Sequence, residues 1–329
     1  MIKILDCTLR DGGHVIGCNF GNQTIHHIVA ALERSSCDVV ELGFLMDKEY
    51  NPNYSIFNNT KQASQFVIPS KNTEYCLMVQ EDQYDLRQLE DCDGSIQNIR
   101  VSFHTYDKTE GLECARIVKE KGYKTHINPI NFVGYSQNEM LDMIEKVNIL
   151  QPDTFSIVDS FGSLLYPQLN EINDIIDKYL DKNISVGLHL HENLASSFVL
   201  AQHFIHNNKD KRNISVDACI DGMGKIPGNM PIELIMNYAN KYLGKNYDES
   251  QLMGVNMEYI APIKTKFRWG YDLPFAIAAQ RNIHRSYAAF ALDNKLQLDE
   301  IYRFLHMLSD EQKSIFNMDY AYETLKKLK

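Results

Sequence analysis

Asp6-Cys7-Thr8-Leu9-Arg10-Asp11-Gly12-Gly13-His14 follows directly on an apolar run, Met1-Ile2-Lys3-Ile4-Leu5, that reads as a buried strand. Far along the chain a second such run, Ile184-Ser185-Val186-Gly187-Leu188, leads into His189-Leu190-His191. Side chains alternate between the two faces of a strand, so both imidazoles point the same way. Two histidines on one face, joined by the Asp11 carboxylate from another strand end, make a candidate divalent-metal site. Arg10 beside it offers a fixed cation with a fork of donors, suited to a carboxylate-bearing substrate. Alone, an Arg-Asp pair in a turn is more often a local ion pair, and His-x-His can be two satisfied core histidines. Their matching positions at strand ends favour the joint site.

Working outward, apolar runs recur at Ile2–Leu5, Asp38–Phe44, Tyr75–Val79, Ile99–Phe103, Lys124–Ile130, Thr154–Val158, Ile184–His189 and Ile214–Ile220. Helix-period segments lie between most of them, including Gln23–Arg34, Gly111–Lys121, Gln137–Leu150, Leu169–Leu180 and Ala195–His206. Strands alternating with helices predict a parallel sheet covered on both faces. Eight strands are what an α/β fold of the (β/α)8 TIM-barrel type requires, over ~250 residues. A doubly wound open sheet is the alternative, but the first turn lacks the G-x-G-x-x-G pattern expected there. In a closed barrel, strands one, seven and eight are contiguous. The segments after them, Asp6–His14, His189–His191 and Asp221–Asn229, should then converge on the mouth where barrels collect catalytic groups.

The barrel is expected over residues 1–244, with a helical C-terminal extension over 245–329. Within the extension, Glu249–Lys266 reads as irregular, and Pro274–Asn294, Gln297–Leu308 and Asp310–Leu328 read as helices. Asn208–Arg212 reads as a solvated loop.

A chain of 329 residues can bury a large core. Its formal net charge of −10 argues against nucleic acid as a partner. No apolar run approaches the ~20 residues that span a bilayer, and no charged-then-apolar leader opens the chain, so a cytoplasmic protein is expected. Seven irregularly spaced cysteines without a C-x-x-C pair read as reduced, mostly buried thiols rather than a disulfide framework or zinc ribbon.

These motifs together resemble the DRE-TIM metallolyase superfamily, from the first strand to about residue 240. The signature D-x-T-L-R-D-G stands as Asp6-Cys7-Thr8-Leu9-Arg10-Asp11-Gly12, followed by His-x-His and by the glycine-rich turn Gly222-Met223-Gly224-Lys225-Ile226-Pro227-Gly228-Asn229. Within the superfamily the chain is most similar to the 4-hydroxy-2-oxovalerate aldolase branch. The carriers of that likeness are Arg10-Asp11-Gly12-Gly13-His14, His189-Leu190-His191-Glu192-Asn193-Leu194, Gly228-Asn229-Met230-Pro231-Ile232-Glu233 and Asp159-Ser160. The branch's Gly-Tyr is matched at Gly270-Tyr271, but its further tyrosine has no counterpart; the next aromatic is Phe275. The identity of the aldehyde stays open on that account.

The resemblance implies a carbon–carbon lyase in which Asp11, His189 and His191, with Asn229 as an additional candidate, hold a divalent metal. Mn²⁺ is the leading candidate, with Mg²⁺, Co²⁺ and Zn²⁺ as alternatives. The metal would stabilise a pyruvate enolate released from a 4-hydroxy-2-oxoacid. Arg10 would stabilise charge on the keto oxygen, His14 would be the general base for the 4-hydroxyl, and Ser160 would bind the substrate carboxylate. Asp221, Glu192, His104 and His126 are candidates for supporting roles. The expected partners are a small-molecule 2-oxoacid and an aldehyde, with a homodimer and an aldehyde dehydrogenase as further options. The rivals are a Claisen-type enzyme condensing an acyl-CoA with a 2-oxoacid, and a non-catalytic metal-binding barrel.

Overall fold

Eight runs of mostly β-branched and aliphatic residues form parallel strands: β1 (Ile2–Asp6), β2 (Val39–Leu45), β3 (Glu74–Gln80), β4 (Asn98–Phe103), β5 (Lys124–Pro129), β6 (Thr154–Asp159), β7 (Ser185–Leu190) and β8 (Ile214–Ala218). The computed structural model describes residues 1–80 and 82–328. Each strand pairs with its neighbours in sequence, and β1 closes the ring by pairing with β8 from Ile2↔Ile214 to Asp6↔Ala218 and with β2 at Leu5↔Val39. The result is the expected TIM barrel, with a helical C-terminal region.

Seven helices accompany the strands: α1 (Asn22–Arg34), α2 (Thr60–Ser64), α3 (Lys108–Glu120), α4 (Gln137–Leu150), α5 (Tyr166–Tyr179), α6 (Ser197–Asn208) and α7 (Ile232–Leu243). The longer ones turn an apolar stripe inward, as Ile25, Ile28, Val29 and Leu32 do in α1. Ser136 and Glu139 start α4 with a reciprocal capping box. The polar stretch 208–212 is not solvated throughout. Arg212 is buried and donates to the carbonyls of Ile176, Leu180, Asp181 and Ile184, joining α5 to β7 and β8.

One backbone irregularity ties the first loop to the barrel. The pairing register of β2 shifts between Glu41 and Phe44, around Gly43 at φ +146°. A Cβ at Gly43 would lie 1.9 Å from the Ser55 carbonyl oxygen, so only glycine fits. The same carbonyl accepts the Phe44 N–H at 3.0 Å, and the Ser55 hydroxyl donates to the Leu9 carbonyl at 2.6 Å.

The C-terminal region departs from the sequence reading in three places. The stretch read as irregular is helical: α8 (Ser250–Val255), a π-turn over Asn256–Ile260 and α9 (Ala261–Phe267). Leu252, Val255 and Ile260 are buried there, and α8 packs on α1. The single helix expected over 274–294 is two, α10 (Leu273–Ala279) and α11 (Ser286–Asp293). No proline or glycine marks the break; Asn282 makes it by taking a left-handed φ of 51°. The last helices are α12 (Leu298–Met307) and α13 (Met318–Leu328). The expected start of α13 at Asp310 is displaced because the buried Tyr287 hydroxyl holds 312–317 as turns, donating to the Gln312 and Ile315 carbonyls and accepting from the Asn317 N–H. Residues from Phe275 to Leu325 form an apolar cluster of their own, against which Ile226 of the barrel packs. Among the described residues no helix is long and apolar enough to cross a membrane.

Gly43→Ala should destabilise the fold by at least about 2 kcal/mol, from the steric clash and the unfavourable φ together. Denaturant unfolding measures it; an unchanged midpoint would mean that β2 and Ser55 separate without cost.

Candidate metal centre and pocket

The loop after β1 and the end of β7 meet where the sequence placed them. Asp11, His189 and His191 bring one ligand atom each to within 4.8 Å of one another. Both imidazoles are oriented by their far nitrogens. His189 Nδ1 lies 3.0 Å from the Asp217 carboxylate, which leaves Nε2 facing Asp11 at 3.4 Å. His191 Nδ1 donates to the Asp159 carbonyl at 2.9 Å, leaving its Nε2 3.8 Å from Asp11. A carbonyl can only accept, so His191 carries its proton on Nδ1 and presents a lone pair at Nε2. The rings stand edge to face, 5.0 Å apart.

Asn229 reaches the same point. Its Nδ2 donates to the Met223 carbonyl at 2.9 Å and to Asp11 at 3.2 Å, while its buried Oδ1 has no partner. Gly224 leaves room for that amide, since a Cβ there would lie 2.6 Å from Asn229 Nδ2. A buried oxygen without a donor, beside a carboxylate and two imidazole nitrogens that face it, suits a divalent cation by donor type and by charge.

The electrostatics agree. Burial works against ionised Asp11, but Arg10 and the two histidines hold its carboxyl well below the usual carboxylate range. Burial likewise opposes a charged His189, yet Asp11 and Asp217 raise its pKa well above the ordinary value. Positive charge is favoured at this spot, whether a proton or a metal ion supplies it.

Arg10 is buried, with Nε on Glu41 at 2.8 Å and Nη1 on Asp11 at 2.5 Å. Glu41 also takes Arg100 Nη1 at 3.1 Å, and Arg100 Nη2 bonds Asp217. One chain of charges thus runs from Asp11 through Arg10, Glu41, Arg100 and Asp217 to His189.

Arg10, Asp11, His14, Ser160, His189 and His191 all line one pocket of about 250 Å³ at the C-terminal mouth of the barrel. His14 lies against Phe44, with ring centroids 5.3 Å apart. Crowding by protein lowers its pKa, with Arg10, Lys225 and Arg285 adding to the effect and Asp11 opposing it. The ring is exposed at the mouth. The Ser160 hydroxyl accepts the Asn131 N–H at 2.8 Å, so its own hydrogen remains to be donated.

Of the four supporting candidates only His104 lines this pocket. Glu192 is taken by Ser197, and Asp221 by Lys264 at 2.8 Å. His126 bonds Asn98 at 3.1 Å and lines a cavity with Met1 and Lys3, at the opposite end of the barrel. Cys7 and Cys219 are free thiols, fully buried with their sulfurs 3.4 Å apart, and burial pushes both pKa values up.

Reading the sequence missed Glu41, Arg100 and Asp217, although each is the one charged residue of a buried strand, which is itself a signal. It also missed Lys225, His284 and Arg285, which line the pocket from the turn after β8 and from the α10–α11 break.

The model of the HMGL-like family matches residues 1–257. A 4-hydroxy-2-oxovalerate aldolase of Thermomicrobium roseum is 25% identical over 274 residues, spanning 79% of this chain and 73% of that one. Among solved structures, the N-terminal domain of a candidate aldolase from Bacteroides vulgatus superposes with a TM-score of 0.75 at 22% identity, over 92% of this chain and 99% of that one. The HMG-CoA lyase of Bacillus subtilis gives 0.61 at 14% identity, over 82% and 94%. These two likenesses carry the fold.

Asp217→Asn removes the carboxylate that orients His189 and should weaken Mn²⁺ binding about 10–100-fold. Titration calorimetry on folded variant measures it. Unchanged affinity would leave Asp217 a partner of Arg100 alone.

Proposed function

This chain belongs to the HMGL-like family, and within it we propose a divalent-metal-dependent aldolase that cleaves or forms a 4-hydroxy-2-oxoacid with pyruvate as one product. One observation carries the reading: two imidazole nitrogens and a carboxylate face one another on a pocket that also holds an arginine, a histidine and a free serine hydroxyl. The names of relatives such as the Thermomicrobium roseum protein point the same way. The barrel through residue 244 carries these groups, and the region from 245 supplies the closing wall.

Asp11, His189 and His191 would hold the metal, Mn²⁺ by preference, with the Asn229 carbonyl oxygen as a further donor. When bound, it supplies Lewis acidity toward a keto oxygen. The chain's own groups do the rest. With Nε and Nη1 committed to Glu41 and Asp11, Arg10 keeps one edge for the keto oxygen, where negative charge grows as the C3–C4 bond breaks. Glu41 fixes that edge. His14, held mostly neutral, takes the proton of the 4-hydroxyl as the aldehyde leaves. The electron pair of the broken bond stays with the three-carbon fragment as the enolate, which becomes pyruvate on gaining a proton at C3. The Ser160 hydroxyl donates to the carboxylate of the 2-oxoacid.

Arg10→Lys keeps the charge but loses the fork, so kcat for pyruvate release should fall about 100-fold or more. A near-normal kcat would make Arg10 a structural ion pair. His14→Ala should lose aldol cleavage yet keep metal-dependent exchange of the pyruvate methyl protons for deuterium, read by NMR, because that step needs no base at the 4-hydroxyl. Loss of both together would assign His14 to enolisation. A wild-type enzyme that cleaves no 4-hydroxy-2-oxoacid but consumes acetyl-CoA with a 2-oxoacid would replace the aldolase by a condensing enzyme.

A further inference from the structure

Two cations on the pocket wall have no counter-ion. Arg10 and Arg100 are matched by Asp11, Glu41 and Asp217. Arg285 and Lys225 are not. Among the described residues neither side chain has an ion pair or hydrogen bond, and Asp11 is the one carboxylate whose field reaches Arg285. Arg285 is half-buried at the rim and Lys225 is exposed there. They arrive from separate segments, Lys225 from the turn after β8 and Arg285 from the last residue before α11. Burial disfavours the charge on both, and the neighbouring Arg285 lowers the pKa of Lys225 further.

His284 lines the same pocket. Its Nδ1 accepts the Ser286 N–H at 3.2 Å, and its ring meets Phe161 edge-on at 5.3 Å. The remaining Nε2 proton makes it a neutral donor on the same wall. The cavity is lined by Arg10, Arg100, Lys225 and Arg285 and is about 250 Å³ in volume, below the range that encloses a drug-sized ligand. That volume suits a short acid.

The carboxylate of a 2-oxoacid would be met on the floor, by Ser160 and the metal side of the pocket. The rim cations would then face the other end of the molecule. We propose that Arg285 and Lys225 bind a second anionic group, so the substrate is a 4-hydroxy-2-oxoacid whose aldehyde half carries a carboxylate or phosphate. The inference rests on the aldolase reading for the identity of the molecule, and on unpaired cations for the anion. It makes Arg285 and Lys225 specificity-determining residues and gives the irregular stretch 280–285 a purpose: an unbroken helix would not bring Arg285 to the rim in this way.

The test uses matched aldehydes with pyruvate: succinic semialdehyde against butyraldehyde, and glyceraldehyde 3-phosphate against glyceraldehyde. The wild type should prefer one of the anionic members by about 100-fold in kcat/KM, the worth of charge-assisted hydrogen bonds. Which of the two it prefers tells carboxylate from phosphate. In Arg285→Gln/Lys225→Gln the preference should collapse to about threefold or less, and Arg285→Lys should retain most of it. Equal losses for charged and neutral aldehydes, or a wild type that favours the neutral ones, overturn the proposal. Binding of succinate and of inorganic phosphate by calorimetry separates this from the chemistry. If no aldehyde reacts but the wild type binds either anion at least about 10-fold more tightly than the folded double variant, the anion site stands and the aldolase reading falls. If the double variant binds them equally well, or if only coenzyme A distinguishes the two proteins, the short dianionic substrate is refuted.

Discussion

A hydrogen-bonded row of buried charges crosses the barrel, and the site is assembled on it. Arg100 stands on β4 and Asp217 on β8, which are opposite one another in a ring of eight strands, so their ion pair spans the lumen. Glu41 on β2 takes a second nitrogen of Arg100 and, with the same oxygen, the Nε of Arg10. Removing water from these groups is costly, and an apolar filling could be as stable; deleting one partner leaves an unmatched buried charge, typically at a cost of about 3–5 kcal/mol. What such a row provides is direction. Arg10 and His189 are each held from behind by a carboxylate that is itself held, so both face the mouth in one orientation.

The loop after β1 is fixed from a second side. Gly43 lets β2 pass close to Ser55, whose hydroxyl binds the Leu9 carbonyl, next to Arg10. The same irregularity sets Phe44, against which His14 lies. One glycine thus connects backbone geometry in β2 to the placement of two pocket groups on another loop.

The mouth itself is finished by the C-terminal helices. The break between α10 and α11 carries His284 and Arg285 to the wall, and Asn282 within it accepts the Ser163 hydroxyl at 3.0 Å, close to the end of β6. The C-terminal helices bury their own apolar cluster, which holds them together behind the wall they present to the pocket.

Much of this was legible in the chain. Eight apolar runs at βα spacing require a parallel sheet with both faces covered. The placement of Asp11, His189 and His191 at strand ends follows from periodicity alone, because alternation on a strand is a local property. Three things were not local. Asp217, Glu41 and Arg100 are far apart in sequence and become partners only because a closed ring sets β4 against β8. The helix break at 280–285 has no proline or glycine and depends on contacts of Asn282 with another element. The turns before α13 are held by Tyr287, whose hydroxyl meets them only after the helices pack. The sequence by itself determined the barrel and the standing of Asp11, His189 and His191 at its strand ends, through short-range pattern. The tertiary structure alone decided which charges are paired and which, like Arg285 and Lys225, are left facing the pocket, because pairing depends on distances across the molecule that no local pattern encodes.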